Sequence, residues 1–489
     1  MVPLAGDDAK KRVTGEKTAG QAPLDQFISY EERDESDAYP KQEPEPRSRS
    51  ASTDSSATLG EVLRPHSNSL NPIEDYKPNK ISHSASVSAN AKVLTILECL
   101  DSFDQITRRR VQNLDLSTTE DMSPALKQLW MSSTTTWPQI LSSSQCWAGD
   151  RPTSTDLLFH TIDKIAATKL AEEQDRVDDY KEHCPAFSKG LLDPHIDRRT
   201  ANAQLYEPNQ DNPVALLGYQ LPDLIPDGAL STPETLAEFV EAFDERNTQV
   251  FLTPKCWVTD LHLDNSDGIS TTIAPTEKVW MMFPPTPKNL QLMQRADAQH
   301  GKLVRIGAEL KGGLIFHTTS RQAIYIPIGC IHGVFTTHGG FLLSMEFSTP
   351  ESARVLAALL NSDFDLFKDQ YSQAELPGQF IEAVDLALQN NRPLVGLGAW
   401  IDALEHVRRW SCKTIDDPSV NKPWMERRGA WMKRVESTWE CFFKSPQAEK
   451  IQCPCGDMDG ESLREHVRGR ALVFEEKCGR SEGWWEENS

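Results

Sequence analysis

Trp257-Val-Thr-Asp-Leu-His-Leu-Asp264 is the stretch on which the reading of this chain turns. Side chains alternate along a strand, so His262 and Asp264, two apart, point to the same side of a strand or its end. An imidazole and a carboxylate placed in this way can share one metal ion. Two histidines and one carboxylate on one face form the non-haem Fe(II) arrangement, which leaves positions open for substrate and oxygen. The second imidazole is then expected on a later strand. His332, within Tyr325-Ile-Pro-Ile-Gly-Cys-Ile-His-Gly-Val-Phe335, lies 70 positions on and is flanked by strand-type residues. Between the two histidines runs Glu277-Lys-Val-Trp-Met-Met-Phe-Pro-Pro-Thr286, a strand with one lysine, Lys278, in an apolar setting. A buried ammonium needs an anionic partner, and a dicarboxylic cosubstrate would supply it.

The surroundings of these motifs have the texture of short strands. Ala215–Tyr219, Val250–Leu252, Val279–Phe283 and Ala323–Pro327 are apolar runs separated by Gly, Pro, Asn and Asp. Residues 205–350 are therefore expected to form an all-β barrel or sandwich. One helix is expected inside it, from Glu234 to Phe243, opened by Ser231-Thr232-Pro233. Outside these limits the apolar period is helical. It is carried by Val93 to Leu100, by Leu126, Leu129 and Trp130, and by residues 156–183 on one side. On the other it is carried by Ala353–Leu360, Phe380–Leu388, Leu397–Val407 and Ala430–Phe443. The fold class is α+β, with a helical region over 91–204, a β region over 205–350 and a second helical region over 351–445. A Cys-containing acidic tail follows over 446–489. Residues 1–90, with runs such as Lys41–Arg47 and Ser48–Asp54, carry almost no periodic apolar residues. They cannot bury enough surface to offset ordering entropy, so this segment is expected to be disordered.

Composition narrows the class. In 489 residues, 51 Lys and Arg face 72 Asp and Glu, a net charge of −21. That balance argues against direct nucleic-acid binding, which needs a basic footprint, and suits a basic partner. No stretch approaches the ~20 apolar residues of a membrane span. The first residues lack an apolar core of the secretory kind. Ten cysteines spread over this length do not make a disulfide scaffold, so a reducing, intracellular compartment is expected. Lys10-Lys-Arg12 reads either as a short nuclear import signal or as a solvated charge cluster.

Three segments together resemble the JmjC family of Fe(II)- and 2-oxoglutarate-dependent oxygenases, in particular the branch of histone lysine demethylases. They are Thr259–Asp264, Glu277–Thr286 and Ile326–Thr336, in the family's order and close to its spacing. The resemblance covers roughly 205–350. It implies a double-stranded β-helix, a cupin-like jelly roll, in which His262, Asp264 and His332 hold iron. Lys278 would pair with the far carboxylate of 2-oxoglutarate, and Thr259 would hydrogen-bond the same group. No catalytic residue beyond the metal ligands is implied. The expected reaction is demethylation of a lysine on a histone or another basic protein tail in the nucleus. Three positions depart from the family. Asn265–Thr272 replaces a Gly-rich stretch, with Thr271 or Thr272 where an aromatic often holds the cosubstrate. Cys330 stands where a Trp is frequent, and Glu346 where close relatives carry Asn. Two other readings therefore stay open: hydroxylation of a protein or smaller substrate by the same chemistry, and a JmjC-like module that binds chromatin without turnover.

Other candidates carry less. His195-Ile-Asp197 repeats the His-x-Asp spacing with no strand or lysine after it, and reads as a structural or surface pair. His317 and His338 read as strand or turn residues that could line the pocket mouth, and Cys330 as a packing residue. Cys453, Cys455, His466 and Cys478 are zinc-type ligands, but a single residue between the first two is off the usual spacing. The alternative is scattered cysteines beside a helix over Gly460–Arg468.

Overall fold

The computed structural model describes residues 105–173, 184–226, 228–237, 248–296, 301–362, 375–390, 392–411, 430, 433–434, 437–453 and 462–466. The expected disordered segment 1–90 and the helix from Val93 to Leu100 lie outside them. Helix α1 (Gln105–Gln112) leads to strand β1 (Leu116–Ser117), α2 (Pro124–Ser133), β2 (Gln139–Ser142) and α3 (Ser154–Glu173). Strands β3 (Ala186–Ser188) and β4 (Leu191–Leu192) pair before α4 (Arg199–Ala203). Then come β5 (Val214–Tyr219), α5 (Glu234–Ala237), β6 (Thr248–Thr253), β7 (Val258–Leu263), β8 (Asp267–Thr272) and β9 (Glu277–Phe283). Helices α6 (Pro287–Arg295) and α7 (Lys302–Ile306) precede β10 (Gly313–Thr318), β11 (Gln322–Ile326), β12 (Ile331–His338) and β13 (Gly340–Phe347). The chain continues through α8 (Ser352–Asn361), α9 (Glu375–Gln389), α10 (Pro393–Ser411) and the short α11 (Leu463–His466).

The class is α+β, with two mostly antiparallel sheets. One has the order β1-β10-β9-β12-β7, the other β2-β11-β8-β13-β6-β5-β3-β4. Only the β1–β10 pair, among the described strands, is parallel. The sheets face one another across a shared core: Trp280, Met282, Leu314, Phe316 and Val334 of the first meet Ile324, Ile326 and Leu342 of the second. Strand β9 shows how sequence produces this layering. Trp280 and Met282 point into the space between the sheets, whereas Val279, Met281 and Phe283 pack outward with α6 and α8–α10. A strand buried on both faces reads as a continuous apolar run, which is what Val279–Phe283 is. Each of these side chains stabilises the fold by roughly 1.5–3 kcal/mol through burial. Lys278 shares the parity of Trp280 and Met282, so it too points inward. The outer face of the second sheet packs Ile269, Tyr325, Leu343 and Met345 with Leu157 and Ile165 of α3.

Several expectations need correction. The region before 205 is not wholly helical, since β1, β2, β3 and β4 extend both sheets. These strands have two to four residues, too short for any period to emerge. The β region holds α6 and α7 besides the helix at Glu234. Helix α6 has the same start signal as that helix: Thr286 caps it by accepting from Asn289 N, and Pro287 follows. The helix at Glu234 is described only to Ala237, and α3 only to Glu173. Among the described residues, no helix is long and apolar enough to cross a membrane.

Candidate metal centre

His262 on β7 and His332 on β12 are direct partners in the first sheet, and Asp264 follows the end of β7. The imidazole centroids are 4.0 Å apart. His262 Nε2 lies 3.9 Å from Asp264 Oδ1, and His332 Nε2 lies 3.7 Å from Asp264 Oδ2. These separations exceed hydrogen-bonding distance. Each ring instead uses its other nitrogen: His262 Nδ1 bonds Asp260 O at 2.9 Å, and His332 Nδ1 bonds Cys330 O at 3.0 Å. A carbonyl only accepts, so both Nδ1 atoms carry the proton and both Nε2 lone pairs are turned towards the carboxylate. Burial pushes both imidazoles down to about 4, His262 also through its neighbour His332, so both are neutral at neutral pH. Burial pushes Asp264 up, against the opposing effect of His262. Three acceptor groups converge without a proton between them, an arrangement that a cation resolves. Among the described residues these three are the group whose ligand atoms lie within 4.8 Å of one another.

The backbone around the triad is pinned from several sides. Asp260 accepts from Lys302 N at 2.7 Å and Leu303 N at 3.0 Å, tying β7 to the start of α7. Gly329 N donates to Asp264 O at 2.9 Å, joining the turn before His332 to the carboxylate ligand. Gly329 has φ +73°, and an added Cβ would meet Val355 Cγ1 at 2.9 Å, so glycine is required there. The same turn is held by the buried Asp267, which accepts from Tyr325 Oη at 2.6 Å and Ile328 N at 3.2 Å. Burial raises that carboxyl to about 6. The ladder between β7 and β12 is irregular: His262 is opposite His332, but Thr259 is opposite Val334. Two residues of β7, Asp260 and Leu261, therefore stand against one of β12, Gly333, a β-bulge beside the site.

Lys278 lies inside, 2% exposed. Its Nζ donates to Thr253 Oγ1 at 2.8 Å and to Thr336 Oγ1 at 2.9 Å, linking the two sheets. Burial lowers this ammonium to about 7, with no neighbouring charge contributing to the shift. The two hydroxyls holding Lys278 were not singled out in the sequence, although Thr336 closes one of the quoted motifs. Thr259, expected beside Lys278, accepts from Trp257 Nε1 at 3.2 Å. Of the two threonines at the departed aromatic position, Thr271 faces outward and bonds Ser143 at 2.7 Å. Thr272, opposite the inward-facing Leu342, has a buried hydroxyl without a hydrogen-bond partner. A cosubstrate oxygen would fit that hydroxyl and the lone ammonium, as the three converging ligand atoms fit a divalent metal.

The remaining candidates fall elsewhere. His195 and Asp197 are exposed in turns, where Asp197 Oδ1 accepts from Arg199 N at 3.0 Å. Cys330 is buried, and burial pushes its thiol well up, away from thiolate chemistry. His317 and His338 both contact Glu277. Cys453 and His466 are buried, and Cys455 and Cys478 lie outside the described residues.

No family model matches the sequence. Over 93 residues the chain is 29% identical to the JmjC domain-containing histone demethylation protein 1 of Kluyveromyces lactis. The match takes in 19% of this chain and 20% of that protein, so it spans about a fifth of the relative's length.

Proposed function

We propose that this chain is a JmjC-type Fe(II)- and 2-oxoglutarate-dependent oxygenase that demethylates a lysine of a histone tail in the nucleus, on a double-stranded β-helix. The observation that carries the reading is the pairing of two features on the inner face of the first sheet. One is a triad of two neutral imidazoles and a carboxylate with converging lone pairs; the other is a buried lysine held only by hydroxyls. The likeness to the Kluyveromyces lactis protein supports the family, and two sheets closing over one inner core support the β-helix.

When bound, Fe(II) and 2-oxoglutarate supply the oxidation by O2 of an N-methyl carbon, with succinate, CO2 and formaldehyde as products. The chain's residues bind and orient. His262, Asp264 and His332 would hold the metal, and Asp260 O and Cys330 O keep both imidazoles in the ligand tautomer. Lys278, steadied by Thr253 and Thr336, would take the far carboxylate, and the dry setting strengthens that pairing. Ser344 and Glu346 alternate with Met345 on β13 and share the inward parity of Leu342. A carboxylate on that face, like the net charge of −21, suits a cationic substrate.

The test is anaerobic titration with Fe(II) and 2-oxoglutarate, followed by the visible charge-transfer band of the chelate. Turnover then gives succinate, with formaldehyde marking demethylation and a persistent +16 Da product marking hydroxylation. Thr272 in place of an aromatic favours a second reading, a chromatin-binding module without turnover. Absence of metal-dependent succinate would select it.

A further inference from the structure

The wall that faces the metal centre from the second sheet carries polar side chains with no part in holding metal or cosubstrate. Phe251 and Leu342 are cross-strand partners packed into the core between the sheets. Gln249 and Ser344, also partners and one inward position further along β6 and β13, therefore point the same way. Ser270 of β8 stands opposite Ser344 and completes the row, donating to Ser344 Oγ at 2.9 Å. The register fixes the depth of this row. Thr253 of β6 meets Lys278, whose neighbour across the ladder is Thr336. Gln249 lies four residues before Thr253, as His332 lies four before Thr336. The strands run the same way, since β8, which opens three residues after Asp264, is antiparallel to β13, and β13 to β6. At ~3.3 Å per strand residue, Gln249 and His332 are level on facing sheets. Gln249 is 8% exposed, and among the described residues nothing hydrogen-bonds its side-chain amide. Gln204, also buried, instead uses both ends of its amide, on Asn212 O and Val214 N. A buried amide left unmatched in this way is costly and asks for a ligand.

We propose that Gln249 selects the methylation state of the substrate lysine, its Oε1 accepting an N–H of the ammonium held before the metal. This rests on the demethylase reading and names its substrate class. Monomethyl- and dimethyl-lysine keep at least one N–H on the cationic nitrogen, and a charge-assisted bond to the amide oxygen satisfies both partners. Trimethyl-lysine has no N–H: it sets a methyl group against the oxygen and leaves the amide unmatched. Monomethyl- and dimethyl-lysine are therefore the substrates. Trimethyl-lysine reacts about ten- to a hundredfold more slowly, the range of one charged hydrogen bond. The competing account is an amide that meets only water and is indifferent to the number of methyl groups.

The full chain is incubated with Fe(II), 2-oxoglutarate, O2 and bulk histones, which carry every methylation state at many lysines, and each lysine is followed by mass spectrometry. At the target lysine the parent should remove monomethyl and dimethyl marks, with the trimethyl mark slower by the stated factor. Gln249→Met keeps the length of the side chain without the amide. It should slow dimethyl-lysine about tenfold or more and leave trimethyl-lysine at the parent's rate or above. Gln249→Glu keeps an acceptor oxygen at that place and should retain the preference, which a merely structural role would not predict; it also keeps the test readable if Gln249→Met folds poorly. The charge-transfer band of the chelate should persist in both variants, since Gln249 holds neither metal nor cosubstrate. Trimethyl-lysine consumed as fast as dimethyl-lysine by the parent, or an unchanged ratio of the two rates in folded Gln249→Met, would overturn the proposal and leave the water-bound amide. Loss of no methyl group at any lysine would instead remove the demethylase reading, and the proposal with it.

Discussion

Lys278→Met should make the protein more stable at neutral pH while removing its cosubstrate binding. The lysine is buried, and its ammonium falls from the ordinary 10.5 to about 7. At ~1.4 kcal/mol per tenfold change in proton affinity, the buried charge costs roughly 5 kcal/mol. The sign follows from proton counting. Below pH 7 both folded and unfolded chains carry the proton, and the cost is fully present. Between about pH 7 and 10.5 the unfolded chain holds the proton and the folded one does not, so stability rises with pH. Methionine removes the charge but forfeits two hydrogen bonds, worth roughly 1–3 kcal/mol together. Thr253 and Thr336 keep each other as partners at 3.1 Å, so neither hydroxyl is orphaned. The net gain is about 2–4 kcal/mol at pH 6.5 and reverses sign between about pH 8 and pH 10, where the charge no longer costs more than the two bonds contribute. Urea unfolding at several pH values measures it. Saturating 2-oxoglutarate should then close the gap from the other side, adding about 2.7 kcal/mol to the parent alone at a hundred times its Kd. A methionine variant less stable than the parent at pH 6.5, with a difference independent of pH, would refute the reasoning.

Three further outcomes are expected. Lys278→Ala should weaken 2-oxoglutarate binding on the order of ten- to a hundredfold with Fe(II) affinity intact, whereas His332→Ala should lose both, as equilibrium titrations of each ligand would reveal. Asp267 is buried with its carboxyl raised from 3.8 to about 6, so its favourable contribution exists below pH 4 and is lost as pH rises through 6. Asp267→Asn lacks that dependence, and parent-minus-variant stability should fall by up to about 3 kcal/mol between pH 4 and pH 7. Trp280→Ala removes a side chain from the core between the sheets, and the bond from its Nε1 to Thr318 at 2.9 Å, and should cost about 3–5 kcal/mol in chemical denaturation.

Much of the site was legible because its residues declare themselves locally. An apolar strand with one lysine, a His-x-Asp at a strand end and a second histidine among β-branched residues each carry a pattern within ten positions. The structure brings His262, Asp264 and His332 together and turns Lys278 inward. What stayed hidden depends on pairing. Thr253 reaches Lys278 from the opposite sheet, and nothing along the chain links positions 25 apart on different sheets. Thr272 could be told from Thr271 only by strand parity against Leu342. Strands of two residues leave no period to read, and α6 escaped although Thr286-Pro287 announces it.

The bulge in β7 works as a phase shifter. In an unbroken ladder, Thr259 and His262, three apart, would face opposite sides of the sheet; here both stand opposite inward residues of β12. The strand thus runs on two timings, one set by the metal end and one by the lysine end, joined at Asp260-Leu261. A deletion of one residue there would restore a regular ladder and leave both faces as they are, since Thr259 and His262 would then stand two apart, opposite Val334 and His332. The extra length serves Asp260, whose carbonyl oxygen meets the His262 ring and whose carboxylate holds the start of α7.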